Sequence, residues 1–235
     1  MIRLKTRGEQ AQPRVLLVNM PLATIQMPSL ALGLLKAELT REGFACEVLY
    51  LNVLVAQMVG WDVYGVVERS SALLAGEQMF ASELFGNRIP PDHEYDANVF
   101  YGVEPEVQQR VRHFRVHVHS FLENCLTRIP WGEYDVIGFS SVFEQNVPSL
   151  NLARRVKERF TQTAIVFGGA NCGGIMGITL HRCFPFVDFV ITGEADAALP
   201  QLITCLTHGC QLSHLPGVVS RHSGATVYGW YHTGQ

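Results

Sequence analysis

Short apolar runs alternate along this chain with helix-like segments, and this alternation limits the fold more than any other feature. Five runs, rich in β-branched residues and each short enough for a buried strand, lie at 14–21, 45–53, 134–141, 163–169 and 187–194. Segments with helical spacing and helix-end signals lie at 28–44, 147–160, 172–184 and 196–206. This order predicts parallel strands, and therefore an α/β fold with a doubly wound parallel five-stranded sheet. A short hairpin around Ser223-Gly224 is predicted at 216–230.

The regular alternation is interrupted between the second and third strands. The interval is far longer than a crossover needs. The pattern predicts helix over 52–86, a loop over 87–102 and one long helix over 104–126, which forms the crossover. Residues 52–102 are therefore a helical insertion, in which we expect most of the large apolar side chains to be core. They are Met58, Trp61, Tyr64, Met79 and Phe80.

Composition and charge exclude several classes of partner. The formal net charge of −3 provides no basic surface for nucleic acid. The apolar runs are too short for a transmembrane helix, and the polar N-terminus is unlike a signal peptide. We therefore expect a cytoplasmic protein with no membrane partner. His208, Cys210 and His214 lack a fourth ligand for a metal site, and His113 and His117 fit an exposed helix face. The six cysteines form no CxxC pair, so reduced thiols are expected.

The loops after the predicted strands are where a parallel sheet binds its ligand. Small residues follow the third and fourth strands and leave an open trough: Ser140, Ser141, Gly168, Gly169 and Ala170. Polar groups around the trough are Asn19, Asn146, Asn171 and Glu194. Small residues at strand ends also serve close helix packing, and that alternative needs no ligand. No GxGxxG and no Asp pair follow the first strand, which disfavours a dinucleotide site and a phospho-receiver. GxxxxGK[ST] is missing from the sequence, which disfavours a nucleoside triphosphatase.

Four motifs together resemble a known family. "VLLVNMP…PSLALGLLKAEL", "YDVIGFSSVFEQN", "IVFGGANC" and "DFVITGEAD" resemble the cobalamin-binding, Rossmann-like domain at the N-terminus of many radical S-adenosylmethionine (SAM) enzymes. "LAGEQMFASELFG" resembles the subgroup that matures ribosomally made peptides (RiPPs), mostly C-methyltransferases. The resemblance implies a cobalamin-binding domain over 14–220. Residues 221–235 would be a hairpin remnant or the start of a linker to a missing radical SAM domain.

The resemblance also implies a function and partners for this module. It would hold methylcobalamin for methyl transfer to a radical on a peptide substrate, and the radical would be made by a radical SAM catalytic domain in cis or in trans. Three thiolates in a CxxxCxxC motif would hold the iron–sulfur cluster. The cysteines at 46, 125, 172, 183, 205 and 210 do not have this spacing. We therefore expect the cluster and SAM only on the missing domain, and no activity from this chain alone.

The implied cobalamin contacts come from four loops. Gly168, Gly169 and Ala170 would form a slot for the nucleotide tail, and Asn171 would hydrogen-bond at its wall. Ser140 and Ser141 would contact the tail, Val142, Phe143 and Gln145 would face the corrin, and Gly193 and Glu194 would close the far wall. The full implied set is Asn19, Met20, Pro21, Ser140, Ser141, Val142, Phe143, Gln145, Asn146, Gly168, Gly169, Ala170, Asn171, Gly193 and Glu194. No catalytic residue and no protein ligand to a metal is assigned.

Two departures from the family pattern and two alternatives bear on this interpretation. Relatives that bind cobalt through histidine carry DxHxxG after the first strand, whereas "NMPLATIQMP" has no histidine. We therefore expect cobalamin without a histidine lower ligand, with residues 20–27 against its lower face. Ala195 replaces the glycine of "GEGD" and would narrow the slot. The alternatives are a small α/β enzyme that binds a nucleotide or SAM through Glu194, and a cofactor-free docking domain.

Overall fold

A computed structural model of the chain describes residues 12–210, 212, 215–222 and 225–228. Both His214 and the predicted Ser223-Gly224 turn lie outside these residues. In chain order the strands and helices are β1 (Arg14–Asn19), α1 (Leu30–Arg41), β2 (Ala45–Tyr50), α2 (Leu51–Val59), α3 (Trp61–Arg69), α4 (Ala75–Phe85), α5 (Asp92–Val99), α6 (Pro105–Arg115), α7 (Val118–Arg128), β3 (Val136–Ser140), α8 (Asn146–Arg159), β4 (Ala164–Gly168), α9 (Gly174–Cys183), β5 (Phe189–Ile191), α10 (Ala195–His208), β6 (Val218–His222) and β7 (Ala225–Tyr228).

The strands form one sheet in the order β2-β1-β3-β4-β5-β6-β7. The first five strands are parallel, as predicted, and β6 and β7 extend the sheet as an antiparallel pair. Because β6 runs through residue 220, the expected domain boundary at that position falls inside a strand. The strand order reverses between β1 and β3, which places the expected binding edge at their carboxyl ends.

Alternate strand residues pack against helices on opposite faces of the sheet. On one face, Leu17, Val166 and Ile191 pack with residues of α1 and α10. On the other face, Phe139 and Phe167 belong to a larger core with the helices from α2 to α9. One face is therefore thickly covered, whereas α1 and α10 lie side by side over the other.

A larger part of the insertion is helical than the sequence predicted. The expected loop over 87–102 contains α5, so that prediction was wrong. Pro91 stands just before the helix and Asp92 and Glu94 lie in its first turn, where acidic side chains favour the positive end of the helix dipole. The proline marks where the helix begins rather than preventing one.

The predicted single helix over 104–126 is also wrong, because it is divided into α6 and α7 around Val116 and His117. The two halves pack against different partners. Phe114 of α6 lies 6.1 Å from Tyr64 of α3, and Phe121 of α7 lies 6.1 Å from Phe80 of α4, measured between ring centroids. A break lets each half direct its own apolar side to its own neighbour.

Most of the large apolar side chains of the insertion are buried, as predicted. Tyr64, Met79 and Phe80 are buried and Met58 is partly buried, whereas Trp61 is half exposed. Within the described residues, no helix is both long and apolar enough to cross a bilayer. The insertion therefore completes the core on one face of the sheet.

Candidate functional site

A cavity of about 480 Å³ lies between α1 and α10, above the carboxyl half of the sheet. We call it the slot. Its floor is formed by neighbouring strands and its walls by the two helices. The floor residues include Leu17, Gly138, Ser140, Val166, Gly168 and Ile191, and the wall residues include Leu34, Leu35, Glu38, Arg41, Ala195, Asp196 and Leu199. A volume in this range suits a small molecule or part of a larger cofactor.

Gly168 keeps the floor of the slot open. A Cβ added to this residue would meet nothing closer than Ile191, at 4.0 Å. In the sheet register Gly168 pairs with Ser140, so two small residues lie side by side at the end of the floor. The space above Gly168 is therefore available to a ligand.

Gly169 is required for a different reason. Its φ is +102°, a conformation that residues with side chains rarely adopt, and an added Cβ would lie 2.6 Å from the carbonyl oxygen of Ser141. The amide of Ser141 donates to the Gly168 carbonyl at 2.8 Å. Although Gly169 also lines the slot, the close approach of two loops is sufficient to demand glycine at this position.

Asn171 joins these two loops through its side chain. Its Nδ2 donates to Ser141 Oγ at 3.1 Å and to the Phe143 carbonyl at 2.8 Å, and its backbone amide donates to the Ser141 carbonyl at 3.1 Å. Ser141 is fully buried. The lining of the slot includes neither residue, and the contact of Asn171 and Ser141 with a cofactor stays a prediction.

Gln145 is buried and hydrogen-bonds within the loops at the binding edge, and its contact with the corrin stays a prediction. Its Nε2 donates to Asn19 Oδ1 at 3.1 Å and to the Met20 carbonyl, and its Oε1 accepts from the Val142 amide at 3.2 Å. Asn19, Met20 and Gln145 are each at most 5% exposed. These residues connect the ends of β1 and β3 rather than presenting side chains to the slot.

The loop after β1 is held by the insertion. The Tyr64 hydroxyl donates to the Ala23 carbonyl at 2.6 Å, and Asn52 Nδ2 donates to the Thr24 carbonyl at 3.0 Å. Both side chains are buried. The insertion therefore fixes the backbone of residues 20–27 at the binding edge, a role that the sequence did not reveal.

A second groove, of about 470 Å³, lies beside the loops after β3 and β4 and is lined in part by α9. Phe143, Ile175 and Met176 line it and are 79%, 71% and 55% exposed. Asn146 and Asn171 provide polar groups in the same lining. Exposed apolar side chains from the loop after β3 and from the first turn of α9 indicate a contact surface.

Two carboxyl groups, of buried Glu144 and partly buried Glu77, attach the insertion to the loop after β3. Glu144 Oε2 accepts from the Gly76 amide at 2.5 Å, and Glu77 accepts from the amides of Asn146 and Val147 at 2.9 and 2.6 Å. Burial raises the pKa of Glu144 to about 7 and also raises the pKa of Glu77. Their spacing in the sequence gave no sign of this pairing.

The structure thus divides the expected site residues among three locations. Those that line the slot are Ser140, Gly168, Gly169, Gly193 and Glu194. Those that line the second groove are Phe143, Asn146 and Asn171. Those in neither lining are Asn19, Met20, Pro21, Ser141, Val142, Gln145 and Ala170.

The wall of the slot on α1 was not foreseen as a site. The sequence predicts a buried face from the stripe Leu30, Leu34, Leu35 and Leu39. Leu30 and Leu34 are nevertheless 76% and 59% exposed, and of these four only Leu39 is fully buried. Leu34 and Leu35 line the slot instead.

Comparison with known proteins supports the fold. No family model matches the chain. Among curated proteins, the hopanoid C-3 methylase of Methylococcus capsulatus is 30% identical over 113 residues, which cover 47% of this chain and 21% of that protein. The matched region is thus about a fifth of that relative's length.

Solved structures show the same fold over nearly the whole chain. The radical SAM methyltransferase TsrM from Kitasatospora setae, with cobalamin and a 4Fe–4S cluster bound, has a TM-score of 0.54 at 15% identity. This chain is covered to 94%, and TsrM to 31%. The cobalamin-dependent SAM radical enzyme OxsB, with aqua-cobalamin and SAM bound, has a TM-score of 0.52 at 16% identity, covering 94% of this chain and 22% of OxsB. The α/β fold prediction is confirmed.

Proposed function

We propose that this chain provides the cobalamin-binding module of a radical SAM enzyme that methylates a carbon atom of a ribosomally made peptide. The observation that carries the proposal is the slot, whose floor at Gly168 leaves room for a ligand. The fold shared with TsrM and OxsB, whose structures contain cobalamin, supports the same interpretation.

The lining of the slot supports its assignment to the nucleotide tail of cobalamin. The tail is a flat base on a ribose phosphate, so it needs a deep apolar space with a few polar groups. Leu34, Leu35 and Val166 supply apolar surface, and Ser140 and Glu194 can bond to ribose hydroxyl groups. Backbone amides at the start of α9, the helix after Asn171, would suit the phosphate, because no acidic side chain lies in its first turn.

The bound cofactor would supply the methyl group, and this chain's residues would hold and shield it. The loop over 20–27 has no histidine and is fixed by Tyr64 and Asn52. We propose that this loop lies against the lower face without a histidine ligand to cobalt. The iron–sulfur cluster and SAM would belong to a catalytic domain in cis or in trans, because the six cysteines lack CxxxCxxC spacing.

The peptide substrate is supported by sequence alone. "LAGEQMFASELFG" spans α4, and α4 presents Gly76 and Glu77 to the loop that follows β3. The segment that resembles the RiPP subgroup therefore lies beside the proposed binding edge. We propose that the peptide substrate is methylated on carbon near this edge.

A binding measurement tests the module directly. Purified protein is mixed in separate samples with hydroxocobalamin, SAM and ATP, passed through gel filtration and examined by visible spectroscopy or mass spectrometry. We expect retention of hydroxocobalamin, with a shifted spectrum free of nitrogen-ligated features. Loss of cobalamin on the column would overturn the proposal, and retention of SAM or ATP instead would favour the small-enzyme alternative.

A further inference from the structure

Two histidine rings lie in contact at the break between α6 and α7. His113 is in the last turn of α6, and His117 directly precedes α7. Their ring centroids are 5.0 Å apart, with 64° between the ring planes. The backbone stays close to helical through the break, where the His117 amide donates to the Phe114 carbonyl at 2.9 Å. The chain therefore continues its turn, and both imidazoles lie on the same side of it.

The ring nitrogens of this pair are free to bind a ligand. Among the residues that the structure describes, neither imidazole has a hydrogen-bonding or ion-pairing partner, and their contact is with each other. His119, by contrast, is held by Glu83, with 3.1 Å between Nδ1 and Oε1. His113 is exposed and His117 is partly buried, so solvent reaches the pair.

The spacing of the two rings suits a shared metal ion. Zinc binds imidazole nitrogen at about 2.0–2.1 Å, and two imidazoles at a tetrahedral angle then have ring centres about 5 Å apart. Histidines four residues apart on one helix face form the zinc-binding pair of HExxH sites. Exposed side chains change rotamer readily, so one nitrogen of each ring can turn towards the ion. The observed separation of 5.0 Å therefore requires no movement of the backbone.

The charges around the pair do not oppose a cation. The arginines of α6 would repel one, but carboxylates neutralise each of them. The ion pairs are those of Arg110 with Asp62 and Glu106, Arg112 with Asp96, and Arg115 with Asp92 and Asp96. In the described part of the chain, no third histidine, cysteine or carboxylate completes a metal-binding group. Water would therefore fill the remaining positions around the ion.

We propose that His113 and His117 bind one divalent transition-metal ion of the kind that prefers imidazole, and that this ion joins α6 to α7 across the break. Phe114 of α6 and Phe121 of α7 belong to the core on one face of the sheet, whereas the slot lies between α1 and α10 on the other. The metal site is therefore separate from the slot, and the inference does not depend on the proposed function.

Calorimetric titration of the metal-free chain with Zn²⁺ tests the site, with Mg²⁺ as a cation that prefers oxygen ligands. Wild type should bind Zn²⁺ and not Mg²⁺. His113→Gln and His117→Gln should each weaken Zn²⁺ binding at least about tenfold, because each removes one of two protein ligands. The double variant should lose no more than either single variant, since one imidazole alone cannot chelate the ion. Zn²⁺ should also raise the melting temperature of wild type more than that of the double variant.

His208→Gln is the matched control. His208 is an exposed histidine at the end of α10, two residues from exposed Cys210, so it belongs to the other group of candidate metal ligands in the chain. This variant should bind Zn²⁺ as wild type does, and circular dichroism checks that every variant is folded. The inference is wrong if wild type binds no Zn²⁺, if both single variants keep wild-type affinity, or if only His208→Gln loses it.

Discussion

Glu77 and Glu144 connect the insertion to the binding edge by capping each other's helices. Glu77, in the first turn of α4, accepts from the first amides of α8, and Glu144, just before α8, accepts from an amide in the first turn of α4. Each carboxylate faces the positive end of a helix dipole. The insertion is therefore fastened to the loop that carries Phe143.

This pairing predicts a pH dependence of stability. Burial raises the pKa of Glu144 from its ordinary value of 4.5 to about 7. A carboxyl group with a raised pKa in the folded state contributes stability below its unfolded pKa, and that contribution is lost as the pH rises through 7. The free energy of unfolding of wild type, relative to Glu144→Gln, should therefore fall between pH 4.5 and 7 in urea titrations.

Buried His181 changes the stability with pH in the opposite direction, so wild type must be compared with a variant rather than studied alone. Burial lowers the pKa of His181 from 6.5 to about 4, so its effect on stability improves as the pH rises over that interval. The contribution of His181 is common to wild type and Glu144→Gln and cancels in their difference. Glu42→Gln, at an exposed position, should show no such difference. A flat difference for Glu144→Gln would refute the prediction.

Removing the Tyr64 hydroxyl should loosen the loop after β1. Tyr64→Phe eliminates the 2.6 Å hydrogen bond to the Ala23 carbonyl and should cost about 1 kcal/mol in the free energy of unfolding. Hydrogen exchange of the amides in residues 22–26 should become faster. Tyr101→Phe is the control, since Tyr101 is 92% exposed and should change neither measurement. Unaltered exchange in Tyr64→Phe would show that the insertion does not fix this loop.

Two adjacent glycines should respond differently to alanine. Gly169→Ala combines a positive φ with a 2.6 Å approach to the Ser141 carbonyl and should destabilise the fold by about 2 kcal/mol or more. Gly168→Ala should change stability little, because its Cβ would enter open space. Thermal melting of both variants checks the contrast. Equal destabilisation would mean that the space above Gly168 is filled by the protein itself.

The exposed leucine of the slot wall should matter for binding and not for folding. Leu34→Asp should change the free energy of unfolding by about 0.5 kcal/mol at most, because Leu34 is 59% exposed. It should lower the affinity for cobalamin, since it places a charge in an apolar wall. Lys36→Asp, exposed on the same helix and outside the slot lining, is the matched control. An unchanged cobalamin affinity in Leu34→Asp would exclude this wall from the site.

The sequence predicted the parallel sheet well because each strand carries its own local signal. Prediction from the sequence failed where the same local residue pattern is compatible with two different structures. Gly168 and Gly169 look alike in a sequence, and only the approach of Ser141 distinguishes them. The helix over 104–126 is continuous by its own pattern, and its break follows from packing against separate helices.

Side-chain roles at the binding edge were harder to predict than backbone position. Asn171 was expected at the edge and lies there, but its amide bonds to Ser141 and Phe143 rather than to the slot. The role of Glu144 is not predictable from the sequence, because nothing in its neighbourhood along the chain reveals that the Gly76 amide donates to it. Such contacts join residues far apart in the sequence, and local patterns carry no information about them.

The most direct test of the central claim is whether filling the slot blocks the cofactor's tail. Wild type, Gly168→Leu and the control Gly33→Leu are titrated with hydroxocobalamin and with cobinamide, which lacks the tail, and folding is checked by circular dichroism. Gly33 is a suitable control because a Cβ there would meet nothing within 4 Å and it lies outside the slot lining. We predict that Gly168→Leu loses cobalamin affinity at least about tenfold and keeps its affinity for cobinamide. Wild-type affinity for cobalamin in folded Gly168→Leu would contradict the account.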